Sequence, residues 1–149
     1  MNLTLRSYWR SSCSWRVRIA LNLKKLQYDV VPVHLVADGG QQHAEEHRSL
    51  NPMRELPVLM VDGKPLAQSV AILEFLEDVA PEPKLLPTGA VDRALVRQMV
   101  EIINSGTQPV QNLRVMQKLG RDFELGKDSQ LSWSKDWICL LYTSPSPRD

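Results

Sequence analysis

The sequence predicts an α/β domain built on a mixed β-sheet with helices on both faces, followed by a purely helical segment, and three observations predict it. Short β-prone runs and amphipathic helices succeed one another in the order βαβαββα over residues 1–80. The last two strands flank Asp62-Gly63, a dipeptide whose tolerance of positive φ suits a tight hairpin turn, and they follow an earlier helical crossover. From Ala90 onward the apolar residues keep helical spacing alone.

Each element has its own signal. Leu3, Leu5 and Ser7 alternate with Thr4 and Arg6, as a short half-buried strand requires. Beyond a polar turn, Trp15, Ile19 and Leu23 recur at i, i+4 and i+8 with Ala20 beside them. That spacing predicts an amphipathic helix with this stripe inward and with Ser11 and Ser12 as its caps. Tyr28 to Val33 reads as a strand. Gln41 to Leu50 mixes helical and loop signals, and Asn51-Pro52 ends it. The run LPVLMVDGKPLAQS supplies the hairpin. Ser69 then caps a helix that turns Val70, Leu73 and Leu76 inward, until Pro81 and Pro83 stop it. This order is that of thioredoxin-like domains. In the helical segment Val91, Leu95, Met99, Ile102 and Ile103 make one apolar stripe ahead of Gly106 and Pro109. The expected organisation is a thioredoxin-like domain over 1–80, a proline-rich linker over 81–89 and a partial all-α domain over 90–138.

Composition narrows the function classes. With 43% apolar and 23% charged residues among 149, the chain is globular in character rather than disordered. Its 18 cationic side chains are interleaved with 17 acidic ones, so there is no basic stripe of the kind nucleic-acid binding needs. No signal-peptide or membrane-spanning run is evident, and a cytoplasmic location is expected. Cys13 and Cys139 offer neither a disulfide framework nor a zinc spacing.

The last eleven residues, CLLYTSPSPRD, resemble codon for codon the translation of a transposase-type sequencing adapter. Residues 139–149 are therefore expected to be non-native, and the native sequence to stop near Ile138, within a helix whose apolar stripe lacks cover.

The chemistry concentrates in SSCSWRVRIAL. Ser11, Ser12 and Cys13 stand at a helix N-terminus, where free N–H groups and the helix dipole favour an anion. That anion is either the Cys13 thiolate or the sulfur of a bound thiol, and Ser11 or Ser12 would donate to it. Taken alone, the same residues also read as plain caps and a packing cysteine. Leu56-Pro57 opens a strand, and a cis bond there would leave the main chain of Leu56 for a peptide-like ligand. Gln68 and Ser69, at the next helix start, then make a carboxylate site. Together these describe a pocket for a small peptide bearing a carboxylate. His43 and His47 share a helical zinc spacing, yet no third ligand is in view, so they read as a solvated helix face and no metal is expected. Trp133 and Trp137 read as core or subunit-packing residues.

The runs SSCSWRVRIAL, DGGQQ, LNPM and QSVAILEFLE, in this order, resemble the zeta-class glutathione transferases, whose members include maleylacetoacetate isomerases. The resemblance covers Leu3 to Ile138, with SSCSWR as its most diagnostic part. It implies glutathione as cofactor and a truncated all-α glutathione-transferase domain at the C-terminal side. In the catalytic set it implies Ser11, which orients and activates the glutathione sulfur, with Ser12 and Cys13 lining the same anion site. Gln42 would contact the glycyl end, Leu56 would pair with the cysteinyl backbone before cis Pro57, and Gln68 and Ser69 would hold the γ-glutamyl carboxylate. QPVQNL resembles the family's next pocket element, which makes Gln108, Asn112 and Leu113 further candidates, with Arg114 following. The implied reaction is cis–trans isomerisation of maleylacetoacetate to fumarylacetoacetate, in tyrosine and phenylalanine breakdown. Its substrate is a small dicarboxylate, so Arg10 and Arg16 are electrostatic candidates beside a reading as solvated surface arginines. The family also implies a homodimeric parent.

Two further readings stay open. One is a zeta-type transferase acting on α-halo acids or maleylpyruvate through the same site. The other is a glutathione-binding fragment without turnover. A glutaredoxin-like redox role is disfavoured because Cys13-Ser14-Trp15-Arg16 lacks a second cysteine.

Overall fold

The computed structural model describes residues 1–142, and these form two compact units, Met1–Leu86 and the part of Pro87–Asp149 that is described. Residues 143–149, most of the expected non-native tail, lie outside the described residues; Cys139 to Tyr142 continue the last helix.

The first unit runs β1 (Leu3–Ser7), α1 (Ser12–Leu23), β2 (Asp29–Pro32), two 3₁₀ turns (Ala37–Gly39 and Gln41–His43), α2 (Glu45–Leu50), β3 (Val58–Val61), β4 (Lys64–Ala67) and α3 (Ser69–Val79). The strands make a four-stranded sheet in the order β2-β1-β3-β4. β1 pairs with β2 in parallel and with β3 antiparallel, and β3 pairs antiparallel with β4, so the sheet is mixed and thioredoxin-like. The β3–β4 turn places Asp62 at φ 47° and Gly63 at φ 82°, the pair of positive angles that a two-residue hairpin of the favoured twist demands. The Asp62 carboxylate also accepts from the Asn2 N–H at 2.7 Å, tying the turn to the start of β1.

Leu3 and Leu5 of β1 and Leu59 of β3 face α1 and α3, and with Val17, Ala20, Leu21, Ile72 and Leu76 they form the main core. Alternation along β1 sends Arg6 to the other face, where it pairs with Glu46 of α2 at 2.6 Å. Helices thus cover both faces. Two inward stripes differ from expectation. On α1 the buried residues are Ser14, Val17, Ala20 and Leu21, while Trp15, Ile19 and Leu23 are about half exposed. The i, i+4, i+8 series and the i, i+3, i+4 series lie on different faces of this helix; the smaller residues fit against the sheet, and the larger ones point away. On α3 Ile72 and Leu76 are buried, with Leu73 packed beside them and Val70 only half-buried.

A buried ion pair closes the far end of the two core helices. The Lys24 ammonium donates to Glu77 at 2.8 Å and to the carbonyls of Ala80 and Pro83 at 2.5 and 3.1 Å. The Glu77 carboxylate accepts in turn from the N–H groups of Leu85 and Leu86. The stretch after α3 is therefore bound to the first unit through Leu86, several residues past the expected boundary at 80.

The second unit holds α4 (Ala90–Glu101), a π-helical turn (Ile102–Thr107), α5 (Gln108–Val110), α6 (Leu113–Asp122) and α7 (Lys127–Tyr142). Its expected stripe is largely uncovered, with Val91 and Leu95 exposed and Met99 and Ile102 half-buried. Trp133 is exposed and Trp137 half-buried, so neither is core; Trp133 Nε1 donates to the Val110 carbonyl at 2.9 Å. Among the described residues no helix is long and apolar enough to cross a membrane.

Candidate functional site

Strand register gathers the candidate residues of the first unit. Ser7, at the end of β1, lies opposite Pro32 at the end of β2, and Arg6 lies opposite Val58 at the start of β3. Val58 in turn faces Ala67 at the end of β4. The loop before α1, the segment after β2, the turn before β3 and the start of α3 therefore all leave one edge of the sheet. A small second core of Tyr8, Val33 and Leu56, with Leu35 against it, packs three of these segments together.

The serine loop is built as a helix start. The Ser11 N–H donates to the Tyr8 carbonyl at 3.0 Å, and Ser11 Oγ accepts from the Ser14 N–H at 3.2 Å, so Ser11 is the N-cap. The first turn of α1 carries no acidic residue to neutralise its positive end. Ser12 is exposed and Cys13 half-buried, with Arg16 Nη2 3.6 Å from its Sγ. Arg16 thus lies beside Cys13 near the start of α1, whereas Arg10 is exposed and its guanidinium lies over the Trp9 ring at 5.6 Å.

Leu56-Pro57 is cis. The ladder of β3 begins only at Val58, so the main-chain groups of Leu56 lie outside it. Next to this turn stands the start of α3, where Gln68 occupies the cap position at φ 70° and makes no side-chain cap bond. Ser69 is the first helical residue and buried, which corrects its expected role as the cap. The first-turn N–H groups of α3 are consequently not closed by a side chain, and an anion suits them. Gln68 Nε2 donates to the Glu55 carboxylate at 3.4 Å, which sets an acceptor at the same place as a helix N-terminus. An ammonium beside a carboxylate, as at the γ-glutamyl end of glutathione, matches that pair of groups.

The segment after β2 carries Gln42, which is buried. Its Nε2 donates to the Leu35 carbonyl at 3.3 Å, and its Oε1 has no partner among the described residues. A buried orphan acceptor fits a ligand N–H, such as the amide donor of a peptide-like ligand. Gly40, at φ 100°, leaves this side chain its space: a Cβ there would stand 2.6 Å from Gln42 Nε2.

The residues that pattern reading missed are His47, Asn51 and Glu55. His43 closes a 3₁₀ turn and His47 belongs to α2, so the two do not share one helix. His47 is fully buried instead of solvated, and its Nε2 lies 3.1 Å from the Glu55 carbonyl. Burial lowers its pKa, outweighing the upward pull of that carbonyl, with Arg6 lowering it and Glu46 raising it to smaller degrees. Only the tertiary fold reveals this; an i, i+4 histidine pair carries no such signal. Among the described residues no three His, Cys, Asp or Glu side chains gather as a metal site.

The remaining candidates lie in the helical unit. Gln108 begins α5, Asn112 Oδ1 caps α6 by accepting from the Arg114 N–H at 3.1 Å, and Leu113 opens α6 partly exposed. The cap bond gives Asn112 a structural role that its sequence context alone did not reveal.

A mixed four-stranded sheet with a cis-proline turn and two helix starts at one end defines the thioredoxin-like class of fold, to which the N-terminal domains of glutathione transferases belong. The family model "Glutathione S-transferase, N-terminal domain" matches residues 10–79. The chain is 50% identical over 134 residues to maleylacetoacetate isomerase of Rattus norvegicus, covering 90% of this chain and 59% of that protein. Among solved structures, it is similar to a maleylacetoacetate isomerase from Anaeromyxobacter dehalogenans with glutathione bound in its active site. The TM-score is 0.79 at 44% identity, over 94% of this chain and 64% of that one. A zeta-class maleyl pyruvate isomerase superposes with a TM-score of 0.90 at 34% identity, over 94% of this chain and 65% of that one. Residues 10–79 thus match the N-terminal domain of the glutathione transferases, and the proteins that the chain resembles over about nine tenths of its length include maleylacetoacetate isomerases and a zeta-class glutathione S-transferase of Euphorbia esula. The chain spans between half and two thirds of the length of these relatives.

Proposed function

We propose that the protein is a glutathione-dependent cis–trans isomerase that converts maleylacetoacetate to fumarylacetoacetate. The observation that carries this reading is the meeting, at one sheet edge, of the Ser11 loop, the cis Leu56-Pro57 turn and the uncapped start of α3. Its relatives' names support the substrate.

Bound glutathione supplies a thiolate whose reversible addition frees rotation about the cis double bond. The residues of this chain bind and orient. The Leu56 main chain would hold the cysteinyl backbone, Gln68, Ser69 and the start of α3 the γ-glutamyl end, and Gln42 the glycyl end. Ser11 Oγ, in accepting from Ser14 N–H, keeps its own hydrogen to donate to the ligand sulfur, and the positive end of α1 favours the anionic form of that sulfur. Ser12 and Cys13 line the same spot. Arg16, with its guanidinium beside Cys13, supplies positive charge for a substrate carboxylate, and Arg10 adds to the field from the surface. The same reading takes the parent protein to be a cytoplasmic homodimer.

A second substrate, maleylpyruvate, is favoured by the likeness to a solved maleyl pyruvate isomerase. The test is to titrate the protein with glutathione and then follow isomerisation of both diketo acids in its presence. Turnover of maleylacetoacetate above maleylpyruvate supports the proposal, the reverse preference selects the second reading, and binding without turnover of either would sink the isomerase assignment.

A further inference from the structure

Two side-chain donors converge on one carbonyl behind the cis proline. His47 Nε2 stands 3.1 Å from the Glu55 carbonyl oxygen, and Asn51 Nδ2 stands 3.0 Å from the same atom. Both residues are buried. Asn51 is fixed from two sides, since its N–H donates to the His47 carbonyl at 2.9 Å and its Oδ1 accepts from the Met53 N–H at 3.1 Å. A carbonyl offers two lone pairs and only accepts, so both are filled and Nε2 carries the imidazole hydrogen. His47 Nδ1 is then a buried lone pair with no partner among the described residues. Such an orphan is destabilising, and an apolar ring would avoid it. The bond to Glu55 is what the imidazole adds.

The consequence lies one bond away. The Glu55 carbonyl and the Leu56 N–H belong to a single planar trans peptide, in which the two point in opposite directions. Holding the carbonyl from the α2 side turns the Leu56 N–H away from α2. Two donors on the oxygen also polarise the amide and strengthen its N–H as a donor. We propose that His47 and Asn51 are positioning residues for glutathione, locking the Glu55–Leu56 peptide so that the Leu56 N–H is presented to the ligand's cysteinyl main chain. The inference rests on the reading above in which Leu56 receives that backbone. Burial, by keeping the pKa of His47 below its ordinary value, holds the ring in the neutral form near pH 7.

The test uses the full chain, calorimetric titration with glutathione, and the amide proton–nitrogen spectrum without ligand. His47→Phe keeps a ring in the space and removes the donor; it is expected to weaken glutathione binding by about tenfold, the scale of one hydrogen bond, and to shift the Leu56 amide resonance. His47→Gln, which restores an N–H donor, is expected to return affinity to within about twofold of the original. If His47→Phe does not fold, Asn51→Ala removes the other donor and carries the same expectation. A folded donor-less variant that binds glutathione within about twofold of the parent, with the Leu56 resonance unmoved, overturns the inference. Should the parent itself not bind glutathione, the functional reading falls, while the Leu56 shift still reports whether the clamp orients that peptide.

Discussion

Replacing Lys24 by methionine removes one charge from the network that joins the ends of α1 and α3. The Lys24 side chain is 0% exposed and that of Glu77 18%, so the pair sits away from bulk water. Its ammonium has three acceptors, Glu77 and the carbonyls of Ala80 and Pro83, one for each N–H. Methionine fills most of the stem's volume yet leaves a mostly buried carboxylate facing two backbone N–H groups, and two carbonyls without this donor. Breaking one side of a buried pair destabilises by about 3–5 kcal/mol, a large part of a domain's total stability. Lys24→Met/Glu77→Gln removes the uncompensated charge while keeping an acceptor for Leu85 and Leu86, and should regain about 1–3 kcal/mol of that loss. Urea unfolding at pH 7, with both variants and Glu77→Gln completing the cycle, measures the coupling. The acid limb gives a second check. Burial pushes the Glu77 carboxyl up, but the Lys24 bond and the two backbone N–H groups outweigh it, and its pKa lies below the ordinary 4.5. The unfolded chain then binds the extra proton, so this contribution is full above 4.5 and is lost as pH falls through the folded-state value. Lys24→Met should flatten that limb. A loss under about 1 kcal/mol with an unchanged acid limb would show that the pair is solvated and the reasoning wrong.

Three other perturbations probe the site. Ser11→Ala removes both the cap of α1 and the hydroxyl proposed above to donate to the glutathione sulfur, and should cost about 1 kcal/mol by urea unfolding while lowering turnover far more than glutathione affinity. Gly40→Ala drives a methyl to 2.6 Å from Gln42 Nε2 at a positive-φ residue, and calorimetry should show weaker binding of glutathione but little change for γ-glutamylcysteine, which lacks the glycyl end. Because burial holds the pKa of His47 below its ordinary 6.5, the unfolded chain gains a proton first on acidification. Stability is therefore full above 6.5 and declines as pH falls toward the folded-state value, a limb that thermal melts should lose in His47→Phe.

Most of the sheet was legible from the residues because strand and hairpin signals are local. Asp62-Gly63 needs only its own φ values, and Leu3 and Leu5 need only alternation. The inward faces of the helices were less legible. Trp15, Ile19 and Leu23 outweigh Val17, Ala20 and Leu21 in apolar bulk, yet the sheet accepts the smaller set. Hydrophobicity ranks residues; it does not state how much room the facing layer leaves. The site splits in the same way. Ser11, Pro57, Gln68 and Ser69 sit next to the backbone features that give them away, a helix start or an X-Pro bond. Lys24 with Glu77, and His47 with Glu55, are linked across chain separations and through backbone carbonyls that no spacing encodes. The buried lysine in particular has the sequence appearance of any surface lysine.

The two clusters of buried residues divide the work between stability and binding. The main core joins β1 and β3 to α1 and α3, and a Leu59→Ala change there leaves a cavity that should lower global stability by about 2–5 kcal/mol. The smaller cluster of Tyr8, Val33 and Leu56 draws its members from the serine loop, the segment after β2 and the cis-proline turn. These segments can shift relative to one another while the sheet stays intact, because the ladder residues lie outside the cluster. Loosening it moves the Ser11 loop against Leu56, the two parts that the proposed function brings to a single tripeptide. Val33, 3% exposed and hydrogen-bonded through its N–H to the Ser7 carbonyl at 2.9 Å, is the residue that spans both regimes. Its backbone extends the β1–β2 pairing while its side chain supports the loops, so a change at Val33 is felt both by the sheet and by the loops of the proposed glutathione site.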